Sequence, residues 1–256
     1  MNHKYIRIKT ESGVAWAEEL DGKALLLDGA PYLGGKKTGQ ELELSQVSLL
    51  APFEGNKMVC VGKNYFDHIQ EMQDAFGDAV PEKPVLFIKP STCVNDPDGI
   101  IPYPAVSKRV DYEGELAIVI GKKMTHVSEE EAMNYVFGIT VANDVTARDI
   151  QKSEGQWTRG KAFDLFAPVG PRIVTGLDPT DQTVITRLNG EEKQRSNTSL
   201  LIHTVPKLLA FITEAITLLP GDFVLTGTPA GVGAMQPGDV VEVEIPTVGI
   251  LRNRVE

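Results

Sequence analysis

Three carboxylates at alternating positions precede an unbroken apolar run near the middle of the chain. Asp111, Glu113 and Glu115 are spaced by two, and residues 116–120 are all apolar and end at Gly121. Such a run is typical of a strand buried on both faces, and a spacing of two places the carboxylates on one face. Neighbouring carboxylates repel one another and are costly to desolvate unless a cation compensates. The pattern indicates either a solvated acidic edge or a metal site, whose oxygen ligands would favour Mg²⁺, Mn²⁺ or Ca²⁺ over Zn²⁺.

A fourth carboxylate ends another predicted strand. Residues 138–143 have the composition of a short buried strand, and Asp144 stands at its C-terminal end. This side chain could supply a further metal ligand. Considered alone, it could equally cap the turn that follows.

A histidine and a glutamate three residues apart follow the short buried strand predicted for residues 57–62. If this segment is helical, His68 and Glu71 share a face. A carboxylate within reach raises the basicity of an imidazole and fixes its tautomer, which is half of a water-activating site. The alternative is an ordinary surface pair. Residues 73–83 are polar and broken by a glycine and a proline, which predicts a mobile lid over a site.

Two lysines stand near apolar residues. Lys89 lies near the end of the strand predicted for residues 84–90, and Lys161 follows a glycine among aromatic residues. In such apolar surroundings Lys161 could polarise a carbonyl group. Each could also be a surface lysine whose stem lies along apolar surface. The glycine-rich segment 226–233 could bring backbone amides to an anion, but it lacks the lysine and following helix of a nucleotide-binding loop.

The elements that must position these residues are mostly strands. Residues 5–27 read as short strands joined by Asp-Gly turns, and the segment 30–54 marks the boundary of an N-terminal β-meander annex. We therefore predict an annex at residues 1–54 and a catalytic part at residues 55–256. The clearest helix is predicted for residues 204–219, where apolar residues recur at helical spacing.

Composition excludes several classes of protein. The chain has 256 residues, 42% of them apolar, and a formal net charge of −10. That charge argues against nucleic acid or an anionic membrane as the main partner. No apolar run approaches the roughly 20 residues of a membrane span. The two cysteines form no paired motif, and the chain does not start with a signal sequence, so we predict a soluble cytoplasmic protein without disulfides.

Several of these signals occur together in an order that resembles the fumarylacetoacetate hydrolase family, most closely its branch of acylpyruvases and oxaloacetate decarboxylases. The resemblance covers about residues 56–256, and the common order of the motifs makes it specific. The motifs are 61–65 with His68 and Glu71, 87–92, 111–116, 143–149 with Gln151, 160–163, and 226–229.

The resemblance implies a β-rich α+β fold, a mixed β-roll that forms homodimers. It implies Mg²⁺ or Mn²⁺ held by Glu113, Glu115 and Asp144, with Asp111 outside the ligand set. Alternation alone does not separate Asp111 from the two glutamates.

The resemblance also implies roles around the substrate, a small anionic keto acid. Lys161 and Gln151 would face it, Thr228 would bind its carboxylate, and Lys89 is assigned to the same substrate contacts. His68 and Glu71 would form a dyad carried on the lid. Two departures from the family pattern, Ala162 and Arg172, are expected near the pocket and leave the identity of the substrate open.

The implied activity is cleavage of a C–C bond in acylpyruvates or related 2,4-dioxo acids. His68 and Glu71 would activate water, and Lys161 together with the metal would stabilise the pyruvate enolate. The same enolate would serve decarboxylation of oxaloacetate or keto–enol tautomerisation of dicarboxylic keto acids, and the dyad favours hydrolysis. A non-catalytic metal- or ligand-binding protein that has kept the fold is the alternative outside enzymes.

Overall fold

Strands dominate the computed structural model, which describes residues 2–11, 13–77 and 79–256. The β-rich α+β class predicted from the sequence is confirmed. The strands are β1 (Lys4–Thr10), β2 (Gly13–Leu20), β3 (Lys23–Leu27), β4 (Lys37–Glu43), β5 (Ser48–Leu50), β6 (Lys57–Gly62), β7 (Val85–Pro90), β8 (Val94–Asn95), β9 (Ile100–Ile101), β10 (Val110–Tyr112), β11 (Gly114–Ile120), β12 (Val136–Asn143), β13 (Thr146–Ala147), β14 (Ala167–Val174), β15 (Thr183–Leu188), β16 (Glu191–Asn197), β17 (Phe223–Leu225), β18 (Gly233–Met235), β19 (Val240–Ile245) and β20 (Gly249–Val255).

The helices are short, and none in the described residues is long and apolar enough to cross a membrane. They are α1 (Phe66–Glu71), α2 (Gln73–Phe76), α3 (Glu129–Ala132), α4 (Arg148–Ser153), α5 (Thr158–Lys161) and α6 (Val205–Thr213). The prediction of a helix over residues 204–219 was wrong at its C-terminal end. The carbonyl of Thr213 accepts a hydrogen bond from the amide of His126 (2.9 Å), and Leu218 forms an isolated β-bridge with Met124. These contacts with the neighbouring segment replace further helical turns.

One 12-stranded sheet forms the frame of the molecule, with the order β4-β3-β2-β1-β14-β12-β11-β17-β6-β7, β5 beside β1 and β8 beside β14. Every residue of β11 is buried, as its apolar run predicts. Side chains alternate across the sheet. Leu116 therefore enters one core, shared with Leu209 of α6, whereas Ala117 enters a second core shared with Trp16 of β2.

Two smaller sheets complete the mixed roll. The order is β16-β15-β19-β20-β9 in one and β13-β10-β18 in the other. Val243 of β19 lies in the same core as Leu116, so the five-stranded sheet covers one face of the main sheet. The three-stranded sheet holds the segment that leads into β11.

The N-terminal strands continue the main sheet. Lys4 of β1 pairs with Val174 of β14, so the sheet runs across the predicted boundary at residue 54. The segment 30–54, which was predicted to mark that boundary, contains β4 and β5. Side chains of β4 are exposed almost throughout and lack an apolar alternation that the sequence could reveal.

Candidate metal and substrate site

Pairing of β11 with β12 brings three carboxylates together. Gly114 is paired with Asn143, so Glu113 and Asp144 face each other just beyond that pair. The amide of Asp144 donates a hydrogen bond of 2.8 Å to the carbonyl of Glu113. One carboxylate oxygen from each of Glu113, Glu115 and Asp144 lies within 4.8 Å of the other two, and all three residues are buried.

Asp111 lies outside this group. It belongs to β10 in the three-stranded sheet, and its carboxylate accepts hydrogen bonds from Arg109 Nε and Arg148 Nε, both at 2.8 Å. The prediction of one continuous strand face for the three acidic residues was wrong, because the strand is interrupted at Glu113. Asp111 instead anchors the arginine that reaches Glu113.

Two cations contact the carboxylate of Glu113. The Lys161 ammonium lies 2.7 Å from Glu113 Oε2 and 2.6 Å from Asp144 Oδ2. The guanidinium of Arg148 lies 2.5 Å from Glu113 Oε1 and also donates to Gln151 Oε1 at 2.7 Å. Lys161 and Arg148 are almost fully buried, so water screens these charges little.

Lys89 is completely buried behind Asp144, so the surface position considered from the sequence is wrong. Its ammonium lies 2.9 Å from Asp144 Oδ1 and donates to the carbonyls of Val145, Lys161 and Phe166. The contacts of the Lys89 ammonium are therefore with oxygen atoms of the protein itself. Its substrate contact stays a prediction, and the observed bonds instead fix Asp144 and the loop after α5.

The pKa values of the two glutamates move in opposite directions. Burial raises the pKa of Glu113, but the charges of Lys161 and Arg148 outweigh this and hold it well below its usual range. Burial, followed by repulsion from Asp144 and Glu113, raises the pKa of Glu115 well above its ordinary value. The carboxylate of Glu115 accepts a hydrogen bond from the amide of Gly227 at 2.7 Å.

The donor set fits a hard divalent cation. Three carboxylates converge, and Glu115 has no ion pair with a lysine or arginine among the described residues. A bound cation would offset the repulsion that raises the pKa of Glu115. Oxygen-only ligands suit Mg²⁺, Mn²⁺ or Ca²⁺ better than softer metals.

The two residues of the predicted dyad are in contact on α1, and His68 lines a cavity together with the three carboxylates. His68 Nδ1 lies 3.2 Å from Glu71 Oε2, and Glu71 Oε1 accepts a hydrogen bond of 3.0 Å from the amide of Gly231. Burial raises the pKa of Glu71, but the bonds from His68 and Gly231 leave it below its ordinary value. The segment 73–83, predicted as a mobile lid, contains α2. Asp78 lies outside the described residues, and the mobility of the segment stays a prediction.

One cavity collects most of the predicted site residues. The three carboxylates share it with His68, Gln151, Lys161 and Thr228. The Thr228 hydroxyl donates to the carbonyl of Gly114 (3.0 Å) and accepts from Gln194 Nε2 (2.9 Å). Its contact with a substrate carboxylate therefore stays a prediction that requires the hydroxyl to change partner.

Two residues of the site received no role from the sequence. Arg148 lies within a recognised motif, yet only the fold shows that it joins Asp111, Glu113 and Gln151. Gln194 of β16 accepts a hydrogen bond from the Gly114 amide at 3.0 Å and donates one to the carbonyl of Pro229 at 2.8 Å. It thereby links β11 to the glycine-rich segment 226–233. The sequence offered only a weak signal, an uncharged glutamine between two charged residues of β16. The structure shows that this glutamine is buried.

Of the two departures from the family pattern, Arg172 lies away from its expected place. Arg172 pairs with Glu19 at 2.7 Å and donates to Val248 O at 3.0 Å, and it does not line the cavity. Its placement near the pocket was wrong, since it links β14 to β2. Ala162 follows Lys161 and packs against the core that contains Ala117.

The fold and site define an enzyme class in which buried carboxylates and a lysine share one cavity with the histidine of a His–Glu pair. Comparison with known proteins gives the family. The model "Fumarylacetoacetate (FAA) hydrolase C-terminal" matches residues 57–256, and "Rv2993c-like, N-terminal" matches residues 3–52. The chain belongs to the fumarylacetoacetate hydrolase family, whose members include isomerases and tautomerases.

Named relatives span most of the chain. It is 44% identical over 223 residues to the mitochondrial oxaloacetate tautomerase Fahd2a of Rattus norvegicus, covering 82% of this chain and 70% of the relative. The structure of 2-hydroxyhepta-2,4-diene-1,7-dioate isomerase from Mycobacterium marinum is 44% identical, with a TM-score of 0.89 and coverage of 99% of this chain and 98% of the other. The 5-carboxymethyl-2-hydroxymuconate delta-isomerase from Mycobacterium smegmatis is 42% identical, with a TM-score of 0.91 and 98% of each chain covered.

Proposed function

We propose that the protein is a metal-dependent enzyme that converts 2-keto acids through an enolate, with C–C hydrolysis of acylpyruvates as its first candidate reaction. One observation carries this proposal. The Lys161 ammonium bridges two of three converging carboxylates in a cavity that His68 also lines. A site of this kind combines a cation-binding group, a proton donor and a base.

Glu113, Glu115 and Asp144 would hold Mg²⁺ or Mn²⁺, with Ca²⁺ as a weaker candidate. When bound, the metal would polarise the keto group of the substrate and help to neutralise enolate charge. Lys89 forms an ion pair with Asp144, and Arg148 forms one with Glu113. These ion pairs fix the two carboxylates, which would therefore need little reorganisation when the metal binds.

Lys161 is the residue placed to serve the enolate. Its ammonium contacts two of the three carboxylates, so a keto oxygen held beside these carboxylates would lie within its reach. Burial lowers the pKa of Lys161, but Asp144 and Glu113 outweigh this and keep it charged. A charged donor in a buried site stabilises developing oxyanion charge. The Oε1 atom of Gln151 is occupied by Arg148, which leaves the amide NH₂ group as the end that can donate to substrate.

His68 is the proposed base for hydrolysis. Its Nδ1 is engaged by Glu71, so Nε2 is the nitrogen that can take a proton from water. The resulting hydroxide would attack the distal carbonyl of the acylpyruvate. Collapse of the adduct breaks the C–C bond, giving a carboxylic acid and pyruvate enolate, which a proton converts to pyruvate.

Tautomerisation of oxaloacetate is the second candidate. The 44% identity with a mitochondrial oxaloacetate tautomerase favours it. This reaction needs no attack by water. A carboxylate of the site would take the proton from the enol oxygen, charged Lys161 would give a proton to C3, and the proton would return from the carboxylate to Lys161 across their contact. Decarboxylation of oxaloacetate would pass through a similar enolate.

Steady-state assays of acetylpyruvate and oxaloacetate, each with Mg²⁺ and with EDTA, test the proposal. Hydrolysis predicts metal-dependent formation of acetate and pyruvate from acetylpyruvate. Tautomerisation predicts faster enol–keto equilibration of oxaloacetate without pyruvate formation. A protein that accelerates none of these reactions would be a binding protein. The homodimer and the cytoplasmic location remain predictions, and sedimentation of the purified protein tests the former.

A further inference from the structure

Part of the wall of the site cavity is aromatic and consists of Phe87 and Trp157. Trp157 packs edge-to-face on Phe87, with ring centroids 5.6 Å apart. The ring of Phe87 lies beneath Lys161, whose ammonium is 5.0 Å from its centroid. Trp157 also presses on the backbone of Gly62, where an added Cβ would lie 2.3 Å from the indole ring. Phe87 therefore contacts both the proposed catalytic Lys161 and the indole of Trp157.

This aromatic wall separates two spaces of very different size. The site cavity has a volume of about 30 Å³, whereas a groove on the outer side measures about 370 Å³. Phe87 and Trp157 line both spaces. The other described residues that line the groove carry no charge, namely Val85, Leu86, Gly155, Gln156 and Thr158.

We propose that Trp157 is the specificity-determining residue that restricts this enzyme to short 2-keto acids. This inference rests on the proposed function and names its substrate class. A keto acid whose first carbons lie at the carboxylates and Lys161 extends toward the aromatic wall, and the indole leaves room only for a short tail. Removing the indole would join the cavity to the groove. An unbranched uncharged tail could then enter, whereas a charged tail would lose water without gaining a partner.

Binding of N-alkyl oxamates separates this proposal from the reaction itself. These compounds carry the same adjacent carboxylate and carbonyl as a 2-keto acid, and their tail length can be varied. With Mg²⁺ present, calorimetry should show that the parent protein binds N-methyloxamate at least about tenfold more tightly than N-hexyloxamate. Trp157→Ala should reverse the order, since each newly buried methylene contributes roughly fourfold in affinity.

Two further variants serve as a control and as a substitute for Trp157→Ala. Gln156→Ala alters the groove without opening the wall and should keep the length preference of the parent. Trp157→Leu also removes the indole but leaves a larger side chain than alanine, and it should give an intermediate preference if Trp157→Ala fails to fold.

The possible outcomes are distinct. Equal binding of short and long oxamates by the parent, or an unchanged preference in the Trp157 variants, would overturn the proposal. Failure of the parent to bind even N-methyloxamate with Mg²⁺ would overturn both this proposal and the proposed function. If the length preference shifts as expected but no keto acid is converted, the size limit holds and the proposed reaction is wrong.

Discussion

The amide of Asp144 donates a hydrogen bond of 2.8 Å to the carbonyl of Glu113. This bond lies just beyond the last pair of β11 and β12 and joins the two segments that carry the three converging carboxylates. The site is therefore built into the centre of the main sheet, where its parts cannot move independently.

Glu115→Gln should raise the stability of the metal-free protein and abolish its stabilisation by Mg²⁺. The folded-state pKa of Glu115 is raised above 4.5, so the metal-free protein loses stability as pH rises from about 4.5 through the folded value. The glutamine variant removes that loss and can still accept the Gly227 amide bond. In EDTA at pH 8 it should melt a few degrees above the parent, since each kcal/mol shifts Tm by roughly 2–4 °C.

The same variant should lose the rise in Tm that Mg²⁺ gives the parent. Thermal melts at pH 5.5 and 8, with EDTA and with Mg²⁺, check both effects. Glu130→Gln, on an exposed surface, is the control. A variant that gains as much from Mg²⁺ as the parent would remove Glu115 from the ligand set.

His68→Ala should separate hydrolysis from the other reactions. Loss of a general base typically costs about 10²–10⁴ in rate, so acetylpyruvate hydrolysis should fall by that order. Tautomerisation and decarboxylation of oxaloacetate should be affected much less, because neither needs water attack. Parallel kcat/KM measurements on the two substrates check this. Equal loss of all activities would mean that His68 closes the lid or binds substrate.

Lys89→Met should destabilise the fold through Asp144. The variant removes one of the two ion pairs of that buried carboxylate, whose other partner is Lys161, and leaves three carbonyls without this donor. We expect a loss of about 3–5 kcal/mol in the free energy of unfolding. Urea unfolding measures it. Lys23→Met, which breaks the exposed pair with Glu41, should change little. Comparable losses in both variants would contradict the positioning role of Lys89.

Gly231→Ala should release the lid. Gly231 has φ = +99°, and an added Cβ would lie 2.1 Å from the carbonyl of Lys193, so its amide should move away from Glu71. Hydrogen exchange in α1 should then become faster, and hydrolysis should fall. In the parent, oxalate with Mg²⁺ should slow exchange in the same helix.

Gly238→Ala is a matched control, because Gly238 has the same φ of +99° but nothing within 4 Å of the added Cβ. Its strain should cost stability without altering exchange in α1. If both variants behave alike, the Gly231 bond does not hold the lid.

Local patterns in the sequence predicted the buried strands well. β6 has the predicted bounds, and β7 begins one residue later than predicted, because both runs end at a glycine or a proline. The exposed strand β4 carries no such signal. α6 ends early because the partner of Thr213 lies some ninety residues away along the chain, at His126.

The sequence indicated those residues of the candidate site that belong to recognisable motifs. It did not indicate residues whose contacts come from strands distant along the chain. Glu113, Glu115 and Asp144, which the resemblance names together, lie together, and Lys161 contacts two of them, whereas the roles assigned to these residues stay predictions. The roles of Arg148 and Gln194, and the burial of Lys89, depend on pairing across the sheets, which spacing along the chain does not encode.

Exchange of the methyl protons of pyruvate in D₂O, followed by NMR, tests the central claim that this site forms an enolate at a metal-bound keto acid. Pyruvate is the small product shared by hydrolysis and decarboxylation, so the step that protonates its enolate must also run in reverse. We predict exchange well above the buffer rate with Mg²⁺, abolished by EDTA and by Lys161→Met, and retained in His68→Ala. Exchange at the buffer rate in the Mg²⁺-loaded parent, or exchange unaffected by Lys161→Met, would contradict the account.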